Sequence, residues 1–354
     1  MTWRLMRWTM AGVLVLGLVG SALAARTQKG SSRSRSSPGH RSAVAHREHS
    51  PLPPIGESLA LPRVGGLSEF PGAVGVTAAS AILMDGKSGT VLFERYPDAP
   101  RPPASVTKIL TALVVLEHGQ LDDRVVVSHA AAETGGYRLG LRAGQRISLN
   151  DLLAAILIRS ANDAAVAAAE HVGRSLNGFV ALMNATAREL GMTNSHFANP
   201  HGLDEPFHYT TARDMAILTR VALDHPRFAQ LVRTRETRVT IWKPGRRALV
   251  PQVRIVLSHN RLLGRLEGAD GVKTGYTDSA GRCLVASASR GNQRMIAVLL
   301  NDPHRWTDAA ALLEYGFGSV REAARVWPEG RAWHFSRVEG WSRLEAKASA
   351  EERP

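Results

Sequence analysis

An α+β fold, an antiparallel sheet flanked by helices with an inserted helical subdomain, is predicted by three observations. Strand-like apolar runs occur near both ends of the region 76–318, a mostly helical stretch fills its middle, and turn formers join neighbouring strands. The two terminal blocks of strand are expected to share one sheet.

The elements follow in order. Residues 79–84 and 90–93 alternate and cluster apolar and β-branched side chains, with Asp85-Gly-Lys-Ser-Gly89 between them, which reads as a hairpin. Pro102-Pro103 then precedes an apolar helical pattern over 105–118, ended by Gly119. Ser148-Leu-Asn-Asp151 fits an N-terminal cap ahead of a helix at 152–158. An Ala-rich helix at 161–172 stops at Gly173, and another at 179–190 closes at Gly191. Thr211-Ala-Arg-Asp214 caps a helix ending before Pro226. Strand patterns return at 237–242, 254–257, 271–276, 283–289 and 295–300, the last two joined by the turn Arg290-Gly-Asn-Gln293. A final helix is expected over 307–315.

The flanks differ in composition. Arg4 and Arg7 precede an apolar run over 10–19, and Ser21-Ala-Leu-Ala24 offers a small-residue cleavage pattern, so 1–24 reads as a secretory signal. Residues 26–50 carry six Lys or Arg against one acid, Glu48, and almost no large apolar side chains. Such a segment cannot bury enough surface to offset its ordering entropy, so 25–75 is expected to be a disordered basic linker. Residues 319–354 read as a short extension, too few for a further β-rich domain and lacking the apolar face of a C-terminal anchor. The expected location is the periplasm or cell-wall space.

The chain's 354 residues carry a formal net charge of +13, which favours anionic partners without identifying them. A secretory signal argues against nucleic acid and leaves an anionic wall or membrane surface. The single cysteine, Cys283, excludes an intrachain disulfide framework, and its apolar neighbours make it a buried structural thiol. No His-Glu-x-x-His occurs and no His/Cys spacing suits zinc, so neither metal nor other cofactor is expected.

Three short motifs carry chemistry: Ser105-Val-Thr-Lys108, Ser160-Ala-Asn162 and Lys273-Thr-Gly275. Residues at i and i+3 share one helix face, so Lys108 can serve as the base that a serine hydroxyl needs, provided its pKa is lowered. At a helix N-terminus, Ser105 meets free N–H groups and a favourable dipole. Ser160 lies between two helical patterns, where its side chain can project from a tight corner. Lys273 sits on a strand, and Gly275 leaves room for a backbone to approach. Each motif alone is cheap: Ser258-His-Asn260 repeats the second and Lys87-Ser-Gly89 imitates the third. Both decoys are expected to be structural, the first on a strand and the second in a turn.

Together and in this order the three motifs form the set used by penicillin-binding proteins and class A β-lactamases. The match extends further. Residues 104–113, the run Ser160-Ala-Asn-Asp-Ala-Ala165, the run Phe197-Ala-Asn-Pro-His-Gly-Leu-Asp204, the run Asp270-Gly-Val-Lys-Thr-Gly-Tyr-Thr277 with Ala280-Gly281, and Leu313-Glu-Tyr-Gly-Phe317 resemble the serine D-alanyl-D-alanine carboxypeptidase family. The resemblance covers 76–318 and implies a penicillin-binding/β-lactamase-like fold. It implies that Ser105 attacks the bond between two terminal D-alanines of a peptidoglycan stem peptide. Lys108 would take its proton and Ser160 would relay one to the leaving amine. Asn162, Lys273 and Thr274 would hold the substrate, with the backbone N–H groups of Ser105 and Tyr276 around the oxyanion. β-Lactams would acylate the same serine.

Two neighbouring activities are weighed. A class A β-lactamase needs a Glu-x-x-Asn loop, which does not occur between Ser160 and Lys273. A DD-endopeptidase would use the same residues. An inactive wall-binding homologue would have lost Ser105, Lys108 or Lys273. His201, in Asn-Pro-His-Gly-Leu, reads mainly as a turn and pocket wall.

Overall fold

The computed structural model describes residues 75–326, 333–336 and 340–343. The expected signal and almost all of the expected linker fall in 1–74, outside the described residues. A hairpin of β1 (Ser80–Asp85) and β2 (Val91–Arg95) comes first, then a 3-10 turn (Ala104–Thr107) leading into α1 (Lys108–His118). There follow β3 (Arg124–Val126), α2 (His129–Glu133), β4 (Arg146–Ser148), α3 (Leu149–Ala154), a π-helical turn (Ala155–Arg159), α4 (Asn162–Gly173) and α5 (Leu176–Glu189). After a long loop come α6 (Ala212–Asp224), α7 (Pro226–Val232) and the hairpin β5 (Glu236–Pro244) and β6 (Leu249–Leu257). The chain then runs through β7 (Ala269–Thr277), β8 (Gly281–Arg290), β9 (Gln293–Leu300), α8 (Arg305–Val326), β10 (Trp333–Ser336) and β11 (Gly340–Arg343).

The central sheet is antiparallel with strand order β2-β1-β9-β8-β7. It is buried on both faces. On β9, Met295, Ala297 and Leu299 pack with Leu312, Leu313 and Phe317 of α8, while Ile296, Val298 and Leu300 face the main helical core. Side chains alternate across a strand, so burial on both sides demands an unbroken apolar run, as in Met295-Ile-Ala-Val-Leu-Leu300. Each fully buried Leu or Ile contributes about 1.5–3 kcal/mol. The opposite face is covered by α6, with α7 and the 3-10 turn against its β7 edge, and α1 packs in turn on α4, α5 and α6. The predicted caps are present: Ser148 accepts from Asp151 N at 3.0 Å and Thr211 from Asp214 N at 3.0 Å.

Two expectations are corrected and further elements appear. The strands predicted at 237–242 and 254–257 do not join the main sheet; as β5 and β6 they pair with β3 and β4 in a second antiparallel sheet, order β3-β4-β5-β6. Both β3 and β4 have three residues, and each buries a single inward side chain, Val125 or Ile147, too short a pattern to read. The helix expected to end before Pro226 does so, at Asp224, and Pro226 then begins α7, because proline fits the first helical position. The last helix runs from Arg305 to Val326, beyond the predicted 307–315 and past residue 318, and the β10–β11 hairpin lies in the expected extension.

Candidate active site

The three motifs come together where the edge strand β7 meets the start of α1 and the corner before α4. The predicted helix begins as a 3-10 turn holding Ser105, and regular α-helix starts only at Lys108. Ala104, just before Ser105, has φ +50°, a left-handed conformation unusual for a residue with a Cβ. Gly275 explains how this turn reaches β7: a Cβ there would meet Ser105 N and the Ala104 Cβ at 3.0 Å. The backbone that needs this space is the chain's own turn at Ser105.

Lys108 Nζ lies 3.0 Å from Ser105 Oγ and 2.6 Å from Asn162 Oδ1, and it also donates to the carbonyl of His201. The Lys108 side chain is fully buried. Burial, then the field of Lys273, holds its pKa well below the ordinary lysine value, with Asp163 acting in opposition. Lys273 Nζ donates to Ser160 Oγ at 2.9 Å and to the Thr274 carbonyl at 3.0 Å. Burial and the nearby Arg305 guanidinium bring its pKa to about 7. Two lysines, each with a serine hydroxyl, thus flank one cleft. Ser160 caps the π-helical turn with φ +62°, which aims its hydroxyl at β7 and not along the helix. Thr274 is almost fully buried, while Tyr276 is exposed and donates to Asp278 Oδ1 at 2.9 Å.

The Asn-Pro-His-Gly-Leu segment is a wall of this cleft. Asn199 Oδ1 accepts from Gly202 N at 2.7 Å, and Thr111 of α1 donates to the Pro200 carbonyl at 2.6 Å. The His201 ring is brought down to about 3 by burial and by Lys108, so it is neutral near pH 7. The decoys are structural: Asn260 donates to the Gly271 carbonyl at 2.9 Å, and Asp85 Oδ1 caps the Lys87-Ser-Gly turn. Cys283 is buried, its thiol pushed up to about 11 by desolvation.

Sequence reasoning missed three supports. Asp163, next to Asn162, is fully buried and accepts from Leu139, Gly140 and Leu141 N–H at 2.8–2.9 Å. It pins a loop whose Tyr137 and Gly135 carbonyls hold the Asn162 backbone and side-chain amides. His208, buried, accepts from Ala198 N through Nδ1 and therefore donates through Nε2 to Thr107 Oγ1, which donates to the Ala104 carbonyl. Arg305, at the start of α8, reaches behind β7 to the Gly275 carbonyl at 2.7 Å, and its Nε has no partner. Asp163 had a signal, its place beside Asn162. His208 and Arg305 had none, since only the fold brings them near.

The fold and this arrangement define the penicillin-binding class of DD-peptidases. A family model described as D-alanyl-D-alanine carboxypeptidase, peptidase S11, matches residues 69–304, and the chain belongs to that family. It is 36% identical over 248 residues to the D-alanyl-D-alanine carboxypeptidase DacF of Bacillus subtilis, covering 68% of this chain and 62% of that one. It is 37% identical over 274 residues to DacC of Escherichia coli, covering 73% and 65%. The chain thus spans slightly less than two thirds of the length of these relatives. The crystal structure of the Streptomyces K15 DD-transpeptidase superposes with a TM-score of 0.65 at 29% identity, over 69% of this chain and 98% of that one.

Proposed function

We propose that this chain is a serine DD-carboxypeptidase, removing the terminal D-alanine from peptidoglycan stem peptides. The observation that carries the reading is a fully buried Lys108, its pKa held down, 3.0 Å from Ser105 Oγ. Neutral Lys108 takes the hydroxyl proton as Oγ attacks the carbonyl carbon between the D-alanines. The C–N bond then breaks, Ser160 relays a proton to the departing amine, and free D-alanine leaves an acyl ester on Ser105. Water attacks that ester, releasing the shortened peptide acid and restoring the serine. The backbone N–H groups of Ser105 and Tyr276 hold the oxyanion, at about 3–4 kcal/mol per donor. Asn162 holds the substrate amide and tethers Lys108. Lys273 and Thr274 take the terminal carboxylate, and Arg305 adds positive field from behind Gly275.

A β-lactam acylates the same serine and stays attached. The nearby carboxylate, Asp163, is already saturated by three backbone N–H groups, which favours slow hydrolysis of that ester over β-lactamase turnover. The apolar run at 10–19 supports export across the cytoplasmic membrane, and the basic segment 26–50 is a candidate tether to an anionic wall or membrane surface.

The test is a denaturing gel of wild type and Ser105→Ala after incubation with fluorescent penicillin. A lasting adduct on wild type alone is expected. Equal labelling of both, or none on wild type, defeats the reading. D-alanine release from a soluble pentapeptide then separates carboxypeptidase action from cleavage of cross-links.

A further inference from the structure

Residues 233–265, which contain the β5–β6 hairpin, hold nine Lys or Arg and one acid, Glu236. No comparable run occurs elsewhere in 76–318. The hairpin also concentrates exposed apolar surface. Val253, Ile255 and Leu257 of β6 are each 52–58% exposed, in a described chain where large exposed apolar side chains are few.

The register sorts these groups. The inward side chains Val239, Ile241 and Val256 join the main core. The outward face carries Val253 opposite Thr240, Ile255 opposite Arg238 and Leu257 opposite Glu236. Towards the sheet's other edge, Arg146 pairs with Trp242 on this face, and the Arg124 guanidinium lies 4.5 Å from the Trp242 ring. The hairpin tip adds exposed Arg246 and Arg247. At the other end, Leu257 opens onto a hollow of about 450 Å³ lined also by Arg235, Arg261 and Arg265. Arg254, of opposite parity on β6, turns inward and donates to the Leu139 carbonyl in the loop that holds Asn162. The outward face therefore points away from the catalytic cleft.

We propose that the outer face of the β3-β4-β5-β6 sheet docks on an anionic lipid surface. Two features choose this occupant. Aliphatic side chains beside a tryptophan and arginines match the acyl boundary, the interfacial belt and the headgroup phosphates in turn. The charge is complementary to anionic headgroups, which attract each Lys or Arg near them. Docked this way, the enzyme keeps its cleft open to substrate while confined near the membrane. The inference is independent of the reaction assigned above.

The experiment is co-sedimentation of the full chain with mixed phosphatidylglycerol–phosphatidylcholine vesicles and with pure phosphatidylcholine vesicles. The wild type is expected to bind the mixed vesicles at least tenfold more tightly, with the advantage falling as salt rises. Arg246→Glu/Arg247→Glu and, separately, Ile255→Ser/Leu257→Ser are expected each to lower that binding about tenfold or more. Penicillin labelling of each variant at the wild-type rate shows that the fold and cleft are intact. Unchanged binding in both variants means the basic N-terminal segment carries the attachment and overturns the proposal. Equal binding to both vesicle types, or no binding to either, also overturns it. A wild-type dimer in light scattering that the apolar substitutions abolish, without vesicle binding, assigns the face to a second copy instead.

Discussion

At the scale of single residues, charge and space decide the chemistry. Lys273 is cationic below about pH 7 and neutral above, because burial and Arg305 depress it. If Lys273 binds the substrate carboxylate as proposed, that partner is lost as pH rises through about 7, and KM should climb over that range. Arginine stays charged throughout, so Lys273→Arg should flatten the rise in KM while lowering kcat, since Ser160 loses its lysine partner. Steady-state KM from about pH 5 to pH 9 on a soluble peptide decides it; a wild-type KM that ignores pH would show that Lys273 does not bind the carboxylate. Gly202 tests space. It has φ +84°, and a Cβ there would meet the Ala104 carbonyl oxygen at 1.9 Å. Gly202→Ala should cost about 3 kcal/mol or more and slow penicillin acylation together, because the displaced atoms belong to the nucleophile turn. A melting temperature within about 2 °C of wild type would contradict this. Ser105, Lys108, Ser160, Asn162 and Lys273 could be read from sequence because each sits in a short motif with fixed spacing. His208 could not, since its link to Thr107 spans 101 positions and no local pattern records it.

Elements set the angles that motifs leave open. The sequence pattern places a helix end before Ser160, but only the π-helical turn gives the hydroxyl its direction toward Lys273. That turn has no sequence signature, because Ala-Ile-Leu-Ile-Arg is ordinary helix-forming sequence. The loop 135–141 is likewise an element made by one side chain. Asp163→Ala leaves three N–H groups, two of them buried, without their acceptor, a cost of roughly 2–3 kcal/mol. Because the freed loop also holds Asn162, acylation by penicillin should slow about tenfold or more, and urea unfolding with a stopped-flow labelling assay checks both halves. Lost stability with an unchanged acylation rate would make Asp163 purely structural. The short strands β3 and β4 were illegible for a related reason: with one inward residue each, alternation has nothing to repeat.

For the whole molecule, what burial predicts is a gradient of opening free energy. Strands β1, β8 and β9 are covered on both faces, whereas the β5–β6 hairpin has one outward face and a free edge. Hydrogen exchange should accordingly be slowest in β1, β8 and β9 and fastest in the hairpin; equal protection in both sheets would refute the gradient. The α+β class was legible because the continuous apolar runs of the main sheet differ from the helical periodicity between them. The division into two sheets was not. Strand patterns report burial and alternation, and 237–242 and 254–257 alternate in the same way whichever sheet they join.

Cys283 has a practical consequence. It is the only thiol in the chain, it is buried, and desolvation pushes its pKa up to about 11, so it is almost wholly un-ionised in neutral buffer. A maleimide should leave the folded protein unmodified. One new cysteine at a surface position therefore takes a dye or spin label stoichiometrically, with no need to remove the native one. Placed at Tyr137 it reads motion at the mouth of the cleft; placed at Val253 it reads immersion depth.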